Sequence, residues 1–130
     1  QLLELVKRFG SKYFIAGGGD GLIAYTFAAG AHAHICGISN LFPELAVNIY
    51  RAVTGGDLAK AFELQYQVNS LRKQIARFGV ETQEVLREAL KIRGIDAGYP
   101  PLQLSNPLDQ KQLEELKRIV EQALKTVGVG

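Results

Sequence analysis

The side chains best equipped for chemistry lie in the first third of the chain. His32, His34 and Cys36 alternate through the segment AHAHICGIS, residues 31–39. In an extended strand alternate residues share a face, so these three would point one way. A zinc site or a Cys-His nucleophile pair would then be the chemistry to expect. Strand geometry argues against both. Same-face neighbours stand about 6–7 Å apart, too far for three of them to converge easily on one ion. The pair formed by Cys36 and His34 has neither a visible third group to orient the base nor an oxyanion site. Packing beneath helices is the simpler role, and no metal is expected.

A second candidate is the glycine-rich turn in FIAGGGDGLI, residues 14–23. Backbone amides at the start of a helix favour anions, so a strand, a glycine turn and a helix can cradle phosphate. Here the glycine spacing of a dinucleotide fingerprint and the Lys-Ser/Thr of a P-loop are both missing. Asp20 would also repel a phosphate unless its carboxylate caps the helix. A turn that comes close to a ligand or to another strand fits better. Among the lysines, Lys7, Lys12, Lys60, Lys73, Lys91, Lys111, Lys117 and Lys125 fall on helices or at the beginning of a strand. None stands at the C-terminal end of a strand, where α/β barrels put their chemistry.

The elements that hold these residues follow from periodicity. Leu2, Leu3, Leu5, Val6 and Phe9 form the apolar face of an opening helix that Gly10 and Ser11 close. Aromatic and β-branched residues predict a strand near residues 12–17, apolar on both faces as in a covered parallel sheet. A helix should follow with Asp20 as its N-cap and Gly30 as its stop. A second strand is expected near 32–37, and then a helix with Pro43 in its first turn and Gly55 at its end. Alternating strands and helices of these lengths are βα units of a parallel sheet. Two strands alone make a poor parallel sheet, so neighbours are expected. From residue 56 onward the chain reads as helical. One helix runs from about Asp57 to Phe78, with Leu58, Phe62, Leu71 and Ile75 among its apolar positions. Another begins near Thr82 and stops at Gly94. A proline-rich crossing follows, and Asp109 with Gln112 forms a capping-box pattern for the last helix. That helix carries the stripe Leu113, Leu116, Val120, Ala123, Leu124 and Val127.

Composition narrows the function classes. The chain has 130 residues, 47% of them hydrophobic, with 15 basic and 13 acidic side chains. The basic residues are dispersed, so neither nucleic acid nor a membrane surface is indicated as a partner. Cys36 is the only cysteine, which suits a reducing, cytoplasmic setting. No stretch has the length and apolarity of a membrane span. The opening QLLELVKRF begins mid-period without Met or a capping residue, as a fragment would.

The ordered elements Gly18 to Asp20, Gly30-Ala31, Ile35, Asn40, Pro43 and Gly56-Asp57, followed by ALKIRGIDAGYPPL, resemble the dihydrodipicolinate synthase and N-acetylneuraminate lyase family of class I aldolases. The resemblance covers nearly the whole chain. It implies an α/β fold, the C-terminal part of a TIM (β/α)8 barrel. Residues 1–55 would supply the last two βα units, and residues 56–130 a C-terminal helical segment. Six barrel strands would then lie upstream, carrying the Schiff-base lysine and the proton-shuttling tyrosine. No catalytic residue is therefore expected in this chain.

The same resemblance implies that Gly18 and Ile35 sit beside the keto-acid site, with Asp20 and Gly37 at positions that meet the substrate's variable end in some members. Pyruvate and an aldehyde are the implied substrates, no cofactor is needed, and a homotetramer completed by the N-terminal barrel half is the implied assembly. Sialate lyases have a glutamate after the aspartate and a serine at the Gly37 position. Gly21 and Gly37 therefore point away from sialic acid. VETQEVL has no proline and GYPPL lacks the synthase arginine, which favours sugar-acid aldolases of the 2-keto-3-deoxygluconate type over a dihydrodipicolinate synthase of lysine biosynthesis. A noncatalytic interaction module is the alternative from another class. A folded, monomeric chain in solution would favour the module, and dependence on an N-terminal half would favour the barrel.

Overall fold

The computed structural model describes residues 1–79 and 82–128. Its contacts divide the chain into two compact units, Gln1–Asn69 and Ser70–Gly130.

The first unit begins with helix α1, Leu2–Phe9, which ends at Gly10. Its predicted apolar face is not part of a core, since α1 has no buried residue and Leu3, Leu5 and Phe9 are exposed. Strand β1 is Ala16–Gly18, shorter and later than the expected 12–17. The cause is local. The amides of Lys12 and Tyr13 both donate to the Phe9 carbonyl, so the chain is still turning where the aromatic residues suggested a strand. A single 3-10 turn, Asp20–Leu22, leads into α2, Ile23–Ala28. Strand β2 is Ala33–Ile35, also shorter than the predicted 32–37. Gly37 already serves as the N-cap of the short helix α3, Ile38–Leu41. Helix α4, Pro43–Thr54, starts with Pro43 in its first turn, where a missing N–H has no intrahelical partner to lose.

β1 and β2 pair in parallel, with Ala16 opposite Ala33, Gly17 opposite His34 and Gly18 opposite Ile35. The helix-linked parallel pair matches the βα reading. Ile23, Ala24, Ile38, Leu41, Phe42, Leu45 and Ile49 are buried around α2, α3 and α4. Full burial of such an aliphatic or aromatic side chain contributes about 1.5–3 kcal/mol. The sheet, however, is covered on one face only. Ala16 and Gly18 of β1 are exposed, against the expectation of a first strand covered on both sides, and Ile35 of β2 is 75% exposed.

Helix α5, Leu58–Ala76, contains the boundary between the units. Within the first unit it buries Ala61, Leu64, Gln65 and Val68 and leaves Leu58 and Phe62 exposed. The second unit contains α6, Thr82–Ile92, and α7, Gln110–Val127. Val85 and Ala89 of α6 and Leu116, Val120 and Ala123 of α7 are buried, the inner part of the predicted stripe. Asp109 forms the predicted capping box, with its carboxylate accepting from the Gln112 amide and the Gln112 side chain accepting from the Asp109 amide. Gly94 ends α6 region at φ +80, a conformation glycine adopts without strain. In VETQEVL, Val80 and Glu81 lie outside the described residues.

Candidate functional site

A parallel ladder puts paired residues on the same side of the sheet, and alternation puts their neighbours on the other. Gly17 and His34 therefore share the face covered by α2, and Gly18 and Ile35 share the open face. The two faces are built differently.

On the covered face His34 uses both ring nitrogens. Its Nε2 lies 2.9 Å from the Gly19 carbonyl, and its Nδ1 lies 2.9 Å from the hydroxyl of Thr26 on α2. Thr26 is 1% exposed. Gly17 makes room for it, because a Cβ there would stand 2.4 Å from Thr26 Oγ1 and 2.5 Å from its methyl carbon. His32 accepts at Nδ1 from the Ile15 amide at 3.0 Å and stacks on Phe14 at 5.2 Å between ring centroids. His32, His34 and Cys36 do share a face, and with Phe27 and Tyr50 they line one cavity of about 250 Å³. Among the described residues no three His, Cys, Asp or Glu side chains are grouped to hold a metal ion. The histidines are occupied with the backbone and with Thr26.

On the open face, Gly18 is the last residue of β1 and Ile35 the last of β2. Both are exposed. Asp20 follows Gly18 by two residues, and Gly37 follows Ile35 by two. The fold brings these two segments together, because the Ile38 amide, next to Gly37, donates to Asp20 Oδ1 at 2.9 Å. Two of the four sequence-predicted residues, Gly18 and Ile35, thus end the strands, and the other two, Asp20 and Gly37, lie just beyond them.

Asp20 does not act as predicted at its own helix. α2 has Leu22 at its N-cap and no side-chain cap. The carboxylate caps α3 instead, whose first amide is the one it accepts from. Such a charge-assisted bond ties the β1 turn to the segment after β2. Gly37 contributes its carbonyl, which accepts from both the amide and the side chain of Asn40 at 3.1 Å.

Sequence reasoning missed Gln65. It is 6% exposed on α5, and its Oε1 accepts from the Ala24 amide at 2.9 Å. Its Nε2 donates to the Asp20 carbonyl at 2.9 Å and to Asn69 Oδ1 at 3.2 Å. The signal was a polar residue on a buried helical stripe, between Leu64 and Val68.

With this geometry in hand, comparison with known proteins gives the class. Residues 1–123 match the dihydrodipicolinate synthetase family, and the chain belongs to it. It is 28% identical over 116 residues to an N-acetylneuraminate lyase of Haemophilus influenzae, covering 89% of this chain and 39% of that protein. It is 31% identical over 109 residues to a 4-hydroxy-tetrahydrodipicolinate synthase of Methanosphaerula palustris, covering 84% of this chain and 35% of that protein. A solved variant of 2-keto-3-deoxygluconate aldolase from Sulfolobus solfataricus superposes with a TM-score of 0.76 at 26% identity, covering 95% of this chain and 42% of that one. The chain thus spans less than half the length of these relatives.

Proposed function

We propose that this chain is the C-terminal part of a (β/α)8 barrel, residues 1–55 being its last two βα units and 56–130 its helical tail. The protein that contains it is a Schiff-base-forming lyase. It condenses pyruvate with an aldehyde, or releases it, in the manner of a 2-keto-3-deoxy sugar acid aldolase. A cytoplasmic homotetramer is the assembly this reading carries with it.

The observation that carries it is the glycine at position 18. A Cβ there would meet only the Ile35 carbonyl oxygen, at an ordinary 3.6 Å. Packing within this chain therefore gives no reason for glycine, whereas close approach of a ligand to the backbone does. Gly18 also lies where barrel enzymes work, at the C-terminal end of a strand. Ile35 supplies apolar surface beside it for the pyruvate methyl group. Asp20 and Gly37, two residues further out, meet the variable end of the substrate.

The reaction needs a lysine amine that attacks the keto carbon of pyruvate and expels water to give an imine. Loss of a methyl proton then yields an enamine whose carbon attacks the aldehyde, and hydrolysis frees the product and the amine. The lysine and the proton-shuttling tyrosine belong to barrel strands outside this chain. Borohydride reduction in the presence of pyruvate tests the assignment. The expected result is one pyruvyl-modified lysine in the full protein, outside residues 1–130. A modified lysine among Lys7 to Lys125, or none anywhere, overturns it.

A further inference from the structure

The turn from Gly17 to Gly21 has four glycines among its five residues. Such a segment has little stiffness of its own. Gly19 stands at φ +90 and ψ 126, a conformation L side chains rarely adopt. What holds it comes from outside, and the hydrogen bonds can be followed one by one. The Gly19 amide donates to the Ile35 carbonyl at 3.1 Å. The Asp20 carboxylate accepts from the Ile38 amide. The two consecutive carbonyls of Gly19 and Asp20 accept from His34 and Gln65 respectively.

Both donors are themselves oriented. A carbonyl only accepts, so His34 carries a proton on Nε2. In the neutral ring Nδ1 is then the acceptor, and the Thr26 hydroxyl donates to it. Thr26 reaches that position because Gly17 lacks a side chain. Gln65 has one workable amide orientation. Its oxygen takes the Ala24 amide, and its nitrogen gives to the Asp20 carbonyl and to Asn69. Turning the amide over would set its NH2 against the Ala24 N–H and its oxygen against two acceptors.

We propose that His34 and Gln65 are positioning residues that clamp the consecutive carbonyls of Gly19 and Asp20, and so set how closely the Gly18 backbone meets the keto acid. The proposal rests on the aldolase reading given above. Neither side chain touches substrate. Each acts through the turn, from β2 on the covered face of the sheet and from α5.

The test uses H34L, H34Q and Q65E in the full protein. Glutamine at 34 can offer a donor near the position of Nε2, whereas leucine cannot. Glutamate at 65 keeps the acceptor for Ala24 and turns an acceptor toward the Asp20 carbonyl. H34L and Q65E are expected to raise KM for pyruvate about tenfold with kcat held within about twofold, and H34Q to restore most of it. Amide exchange at Gly19 and Ile38 should accelerate about tenfold in H34L and Q65E while Val120 in α7 keeps its protection. Unchanged KM overturns the proposal, as does exchange that rises equally at Val120 or loss of folding in all three variants. If the unaltered protein traps no pyruvate, the aldolase reading fails. The exchange measurement then still decides whether the clamp exists.

Discussion

Gly17 and Gly18 are neighbours in one strand, yet they are glycine for different reasons. Gly17 faces α2, where a methyl group would collide with the buried side chain of Thr26. Gly18 faces outward, where a methyl group would meet one carbonyl oxygen at van der Waals distance. The covered face is constrained by packing. The open face has no such constraint, and there the residue type reflects what comes from outside the chain. A glycine that this chain's own packing does not require is a better pointer to something outside the chain than one it does.

The largest effect that would sharpen this contrast is a paired substitution. G17A is expected to lower folding stability by about 1–3 kcal/mol, the usual cost of forcing volume into a packed site. G18A should leave stability within about 1 kcal/mol, because only ordinary contacts are added. In the full protein G18A should nevertheless abolish or sharply reduce pyruvate trapping, since its methyl group occupies the approach to the backbone. Denaturant titration and the borohydride assay read the two effects separately. Equal stability losses in the two variants would break the comparison.

A smaller effect is expected where a cap is purely local. D109A removes the acceptor for the Gln112 amide at 2.8 Å and should cost about 1 kcal/mol in denaturant titration. It should leave pyruvate trapping and exchange at Gly19 unchanged. The smallest effect belongs to Lys91, which donates to Glu88 at 2.6 Å on an exposed surface. That hydrogen bond, ahead of the opposing effect of burial, holds the lysine above its ordinary value of 10.5. A raised lysine contributes stability below its unfolded value and loses it as pH climbs through the folded one. E88Q should therefore cost less than about 0.5 kcal/mol at neutral pH, and the difference should disappear in strongly alkaline solution.

The two aspartates show how much of this was legible. The role of Asp109 is legible because Asp-x-x-Gln before an apolar stripe is a signal contained in one turn of chain. Asp20 has no such partner three residues on. Its carboxylate is claimed by Ile38, eighteen residues away, a distance that sequence spacing does not encode. That Gly18, Asp20, Ile35 and Gly37 belong together was implied by the family resemblance. The clamps did not, because His34 reads as a packing residue until Gly19 is seen beside it. Strand lengths are less legible for a similar reason. Aromatic and β-branched composition marks where an extended segment is possible, whereas Phe9 and its turn decide where it starts.

The shortness of those strands has a consequence for handling this chain apart from the neighbouring strands of the proposed barrel. Each strand contributes three residues, and at about 3.3 Å per residue that offers only about 10 Å of backbone for another chain to pair with. Short edges are a poor template for strand addition. Self-association of this chain should therefore run through exposed apolar side chains such as Phe14 and Ile35. It should be reversible on dilution rather than grow into ordered fibrils.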